Sequence, residues 1–128
     1  MDSNVLVYAF TSDPRAAMAQ SVLERGCTTS VQGLNEFANV ARRKLRMTWT
    51  EVTEALAAIR TVCRTIVPID IETHADAMSI AERYGVSVFD ALMIASAARA
   101  ECDVLFSEDM QSGLVVAGRL RIVNPFRA

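Results

Sequence analysis

The chain has 128 residues, 15 of them acidic and 13 basic, with 52% apolar and 22% charged residues and a formal net charge of −2. That composition suits one domain over residues 1–128 with a core of its own and excludes a disordered chain. The apolar runs are too short to cross a bilayer, and the charge does not advertise a broadly basic nucleic-acid surface. Three widely spaced cysteines and a single histidine, His74, fit neither a zinc finger nor Ser-His-Asp chemistry. No charged leader with an apolar block opens the chain, and an odd cysteine count suits a reducing compartment, so a cytoplasmic location is expected.

In chain order, residues 5–10 read as a β-like run, broken by Thr11-Ser12-Asp13-Pro14. Residues 15–25 read as a helix stopped by Gly26, and 27–30 as a short strand. Ser30 is a suitable N-cap for a helix over 31–45. Thr48-Trp49-Thr50-Glu51 has the spacing of a capping box and opens a helix to about residue 64. Residues 65–69 are strand-like, 72–84 helical with Gly85 as the C-terminal stop, and 88–100 a very apolar helix capped by Ser87. Residues 103–106 read as a buried strand, 107–113 as a polar loop or short helix and 120–123 as the last strand before Pro125. Strands alternating with helices predict an α/β fold, a three-layer α/β/α sandwich with a mostly parallel central sheet, whose site forms outside the carboxyl ends of the strands.

With so few histidines and cysteines, any chemistry must rest on carboxylates. Asp90 falls in the first turn of its helix, in line with Met93, Ile94 and Ala97 at about 100° per residue. It either completes the helix cap or serves as a metal ligand or acid/base at a cleft edge. Ser107-Glu108-Asp109 follows an apolar strand, where a parallel sheet opens its crevice and where turns also place acids. Asp2-Ser3-Asn4 is a polar triplet beside the first apolar run. On the helix 31–45 the apolar face is expected to hold Val31, Leu34, Ala38, Ala41 and Leu45, which leaves Glu36 on the solvent side with Gln32, Asn39 and Arg43. Met18, Met78 and Met93 are expected in the core.

Asp2-Ser3-Asn4-Val5-Leu6-Val7-Tyr8-Ala9, Ser30 with Asn35-Glu36-Phe37, Ser87-Val88-Phe89-Asp90-Ala91-Leu92 and Leu105-Phe106-Ser107-Glu108-Asp109-Met110-Gln111-Ser112-Gly113 follow one another in an order that resembles the PIN domain. More narrowly, the chain resembles the VapC-type toxins of toxin–antitoxin pairs, over nearly its whole length. The resemblance implies a mostly parallel sheet flanked by helices and metal-dependent endoribonucleolytic cleavage leaving a 5′-phosphate and a 3′-hydroxyl. It places the four acidic positions on Asp2, Glu36, Asp90 and Asp109, as metal ligands and catalytic acids. Asp2 and Asp90 are the foremost candidates for direct or water-mediated metal contact, with Asp109 or Glu108 expected to complete the cage and Glu36 to hold a water or a second ion. Asn4 and Ser107 support the site. Mg²⁺ or Mn²⁺ is the implied cofactor, since both prefer hard oxygen ligands. RNA, a cognate antitoxin and a second copy of the chain in a homodimer are the implied partners, with the helices 15–25 and 48–64 as contact candidates; no membrane partner is expected.

Arg42, Arg43, Lys44 and Arg46 follow Glu36 and read either as RNA-phosphate contacts or as a solvated helix end. Trp49 is read as an anchor for its helix start or as a base-stacking platform. One feature departs from the family pattern: only Met1 precedes Asp2, where an apolar strand normally leads in. The terminal ammonium is then expected near Asp2, in competition with a metal, and upstream apolar residues are expected to add stability. The competing functional class is a catalytically weak PIN-fold scaffold or protein-interaction domain. A phosphate-accepting receiver domain fits less well, because the only lysine, Lys44, is misplaced for it.

Overall fold

The computed structural model describes residues 1–25, 27–63 and 65–127, so the helix stop assigned to Gly26 lies outside the described residues. Six helices and five strands follow one another: α1 (Ser3–Tyr8), α2 (Ala16–Glu24), β1 (Thr28–Ser30), α3 (Val31–Arg43), α4 (Trp49–Val62), β2 (Thr65–Val67), α5 (Ile71–Tyr84), α6 (Val88–Arg99), β3 (Val104–Phe106), β4 (Val115–Val116) and β5 (Leu120–Val123). The helix starts follow the expected chemistry. The Ser30 side chain accepts the Gly33 N–H, Thr48 and Glu51 form a reciprocal capping box, and Ser87 accepts the Asp90 N–H. Gly85 ends α5 in the left-handed region at φ 67°, which a residue without Cβ adopts at little cost.

β1 pairs with β2 in parallel, and β3 pairs with β5 in parallel while the two-residue β4 adds on antiparallel. The expected parallel pairing is present, arranged as two small sheets. The first two residues lie between them. The Met1 ammonium donates to the Thr28 carbonyl at 3.0 Å, beside β1, and the Asp2 N–H donates to the Phe106 carbonyl at 2.9 Å, at the end of β3. Burial pushes the pKa of that ammonium down, against the pull of nearby Asp2. The chain then turns at once into α1, so the expected β-like run at 5–10 is corrected. It is helical through Tyr8 because Val5, Leu6 and Ala9 reach the core from one side, and tertiary burial outweighs β-branched propensity.

Three regions of core result, one of them the seam where Ala77 of α5 meets Ala91, Leu92 and Ala95 of α6. Val5, Leu6, Phe37, Val52 and Ile59 bring α1, α3 and α4 together, while Ile94, Leu105, Leu120 and Ile122 fill the space between α6 and the second sheet. α6 is buried continuously over residues 91–97, so it is a central helix rather than an amphipathic one. Met93 is buried as expected, but Met18 is 46% exposed. No helix among the described residues is long and apolar enough to cross a membrane.

Candidate active site

The end of β3 and the start of α1 meet at Asp2. Its carboxylate is buried and accepts a 2.7 Å hydrogen bond from Ser107 Oγ on the loop after β3. Ser107 is itself fully buried, and its Oγ also accepts the Met110 N–H. One hydroxyl therefore holds the loop and orients the acid. Asp90 stands half-buried in the first turn of α6. Its pKa is raised, first by burial and then by the charge of Asp2, against a lowering hydrogen bond from Ser87, with Asp109 adding a smaller push upward. Three acids widely separated in sequence thus act on one another in space.

A cleft of about 730 Å³ opens at this end of the molecule, lined by Asn4, Tyr8, Asp13, Glu36, Lys44 and Asp109 among others. Asp2 and Asp90 do not line it; the charge of Asp109, a wall residue, reaches Asp90. Glu36 is half-buried rather than solvent-facing, and Gln32 Nε2 donates to its Oε2 at 2.8 Å. The correction has a simple cause. α3 buries Gln32, Gly33, Phe37 and Ala41, so Gln32 is not on the solvent side either, and Glu36 and Val40 line the cleft. Gly33 is where the helix comes closest to its own start, since a Cβ there would sit 3.0 Å from Thr29 Oγ1. Asn4 also lines the cleft, and its buried side-chain oxygen and nitrogen have no hydrogen-bond partner among the described residues.

Glu108, next to Asp109, has a different fate. Tyr8 Oη donates to its Oε1 at 2.9 Å, and Arg15 NH1 donates to both carboxylate oxygens at 3.0–3.1 Å. Arg15 also grips Asp13 at 2.7–2.8 Å and lies 4.0 Å over the Tyr8 ring. Its guanidinium holds the Asp13 carboxyl down at about 2, while burial and then the bond to Glu108 push the Tyr8 phenol up. This four-residue network escapes a reading of the sequence. The turn Asp13-Pro14-Arg15 hints at the local pair, but Arg15 and Glu108 are 93 positions apart. Of the basic run, Lys44 reaches the cleft. Arg42 is drawn away, donating to the Met47 carbonyl and lying 4.5 Å over the Trp49 ring, and Arg43 and Arg46 are exposed. Trp49 is 66% exposed, so it is a stacking partner for Arg42 and not a buried anchor.

The donor set around Asp2, Asp90, Asp109 and Glu36 is all carboxylate, with the unsatisfied Asn4 amide beside it. Hard oxygen donors of this kind fit Mg²⁺ or Mn²⁺. Among the described residues no three acids, histidines or cysteines are drawn into a ready metal cage. A cation that keeps several waters does not require direct contact with every ligand.

The PIN domain family model matches residues 1–112, and the chain belongs to that family. Two solved structures share the fold. One is a toxin–antitoxin complex from Klebsiella pneumoniae, 17% identical, with a TM-score of 0.74 over 99% of this chain and 97% of that one. The other is VapC20 of Mycobacterium tuberculosis, described as a Sarcin-Ricin loop cleaving toxin, 21% identical, with a TM-score of 0.65 over 80% of this chain and 83% of that one. No curated protein sequence matches the chain.

Proposed function

We propose that this PIN domain is a Mg²⁺- or Mn²⁺-dependent endoribonuclease and the toxin of a toxin–antitoxin pair. The observation that carries the reading is the set of acids converging on Asp90, whose ionisation is opposed by burial and by the charges of Asp2 and Asp109. A surplus of negative charge concentrated at a cleft end is what a divalent cation relieves. Membership of the PIN family and the likeness in fold to a Sarcin-Ricin loop cleaving toxin support RNA as substrate. The likeness to a chain from a toxin–antitoxin complex supports an antitoxin as partner.

In this reading Asp2, Asp90 and Asp109 hold the cation, with Ser107 fixing the Asp2 carboxylate and Asn4 orienting the ligands or their waters. Glu36, steadied by Gln32, holds a water in the cleft. Lys44 meets an RNA phosphate at the rim. The bound cation supplies Lewis-acid activation of water and neutralises charge on the phosphodiester. Glu108 belongs to the Arg15 network and is not a ligand.

The test is cleavage of ribosomal, transfer and messenger RNA by the purified protein with Mg²⁺ or Mn²⁺, with chelator, and by Asp90→Asn. Cutting that requires metal and disappears in the variant is expected. Binding of neither metal and no cutting of any RNA would move the protein to the scaffold class.

A further inference from the structure

Cys27 and Cys63 are 36 positions apart in sequence, yet their Sγ atoms lie 3.1 Å from one another. Cys27 immediately precedes β1. Cys63 caps α4, two residues before β2, and Thr28 and Thr65 are register partners in the parallel pair that follows. The register of two strands therefore brings the thiols together. Both are unbridged, Cys27 half-buried and Cys63 5% exposed. A shallow cleft of about 470 Å³, lined by Ala57, Arg60, Thr61 and Ile66, reaches Cys63 from solvent. Neither cysteine is used by the proposed ribonuclease site, and the two stand at the starts of β1 and β2, whereas α3 with Glu36 leaves from the end of β1.

We propose that Cys27 and Cys63 form a modification site, at which an oxidant of the peroxide class closes a reversible intramolecular disulfide. Cys27 is suited to react first, because it is half-buried where Cys63 is 5% exposed, and its contact with the Cys63 sulfur lowers its pKa. The Cys27 thiolate attacks one peroxide oxygen and the O–O bond breaks. Cys27 becomes a sulfenic acid, and the departing hydroxide takes up the Cys27 proton as water. The Cys63 sulfur then attacks the Cys27 sulfur. The S–S bond forms, the S–OH bond breaks, and the hydroxide leaves with the Cys63 proton as a second water. Two thiols are oxidised and one peroxide is reduced to two waters. A bond of about 2 Å requires the sulfurs to close by only about 1 Å.

The crosslink joins segments separated by α3 and α4, so it restricts the unfolded chain over a long loop and raises Tm by roughly 10 °C. The experiment treats the full chain with a small excess of hydrogen peroxide, then counts alkylatable thiols after denaturation, maps the peptides and records Tm before and after dithiothreitol. The expected result is a fall from three thiols to one, the remaining one at Cys102, with a Cys27–Cys63 peptide pair and a higher Tm that the reductant reverses. Cys27→Ser abolishes both changes and Cys102→Ser retains them; these two variants suffice if the buried Cys63→Ser fails to fold. Three thiols surviving in the folded, peroxide-treated protein, pairing through Cys102, or a bond only between separate chains would each overturn the proposal. Its outcome does not depend on RNA cleavage.

Discussion

The acids at the cleft fall into two regions that treat the same side chain in opposite ways. At the rim, Asp13 and Glu108 share the guanidinium of Arg15, and Tyr8 completes the arrangement. Around Asp90, the charges of Asp2 and Asp109 oppose ionisation and hydroxyl groups supply the compensation. At the rim both acids are gripped by one guanidinium, so they act as structure. Around Asp90 the neighbouring acids act on one another as like charges, and a cation relieves such a cluster. Proximity to a cleft does not separate the two groups, since Asp13 and Asp109 both line it. What separates them is that a guanidinium grips the first group, while like charges bear on Asp90 in the second.

The sharpest way to break this contrast is to exchange the neighbours Glu108 and Asp109. Asp109→Asn is expected to lower metal-dependent RNA cleavage by more than about 100-fold, beyond the range usual for outer-shell partners. Glu108→Gln is expected to change it only a few-fold. Initial rates on one RNA decide between them, and equal losses would erase the distinction. Next in size is Ser107→Ala, which removes the donor to the buried Asp2 carboxylate and the acceptor for Met110. Cleavage is expected to fall about 10- to 100-fold, with a stability loss of about 1–3 kcal/mol in urea unfolding. Unchanged stability would show that Asp2 does not depend on that hydroxyl.

Arg15→Ala tests the rim. The pair with Glu108 is partly exposed, 41% for Arg15 and 22% for Glu108, so solvent screening keeps the stability loss small. A collapse of activity with little loss of stability would assign the rim to the chemistry. The smallest effect concerns pH. The Asp90 carboxyl is raised above its ordinary 3.8, so the folded state holds that proton more tightly than the unfolded state does. Ionisation therefore costs stability as pH rises through the folded pKa, and none is lost below the unfolded value. Metal-free Asp90→Asn is expected to melt a few degrees above the parent at neutral pH and level with it near pH 3. Melting curves at a series of pH values, with chelator present, provide the check, and a variant that is less stable throughout would make Asp90 a structural cap.

Much of this was legible in the sequence, and the exceptions have physical causes. The caps at Ser30, Thr48 and Ser87 and the stop at Gly85 act within one helical turn, so local residues suffice to place α3, α4, α5 and α6. α1 was not legible. Val5-Leu6-Val7-Tyr8 has strand chemistry, and only the long-range bond from Asp2 to Phe106, followed by burial of Val5 and Leu6, makes it a helix. The 3.6-residue period puts Glu36 on the solvent side, whereas it is half-buried and lines the cleft. Periodicity alone does not reveal that α3 meets a cleft there. Glu108 and Asp109 are equivalent in sequence and differ only through a partner near the other end of the chain. The Cys27–Cys63 contact is likewise a product of strand register.

The most direct measurement is a Mn²⁺ titration of the parent, Asp109→Asn and Glu108→Gln by calorimetry at neutral pH, with no RNA present. The account predicts that Glu108→Gln binds Mn²⁺ as the parent does and that Asp109→Asn binds at least about 10-fold more weakly. Equal weakening in both variants, or Mn²⁺ binding lost only in Glu108→Gln, would contradict it.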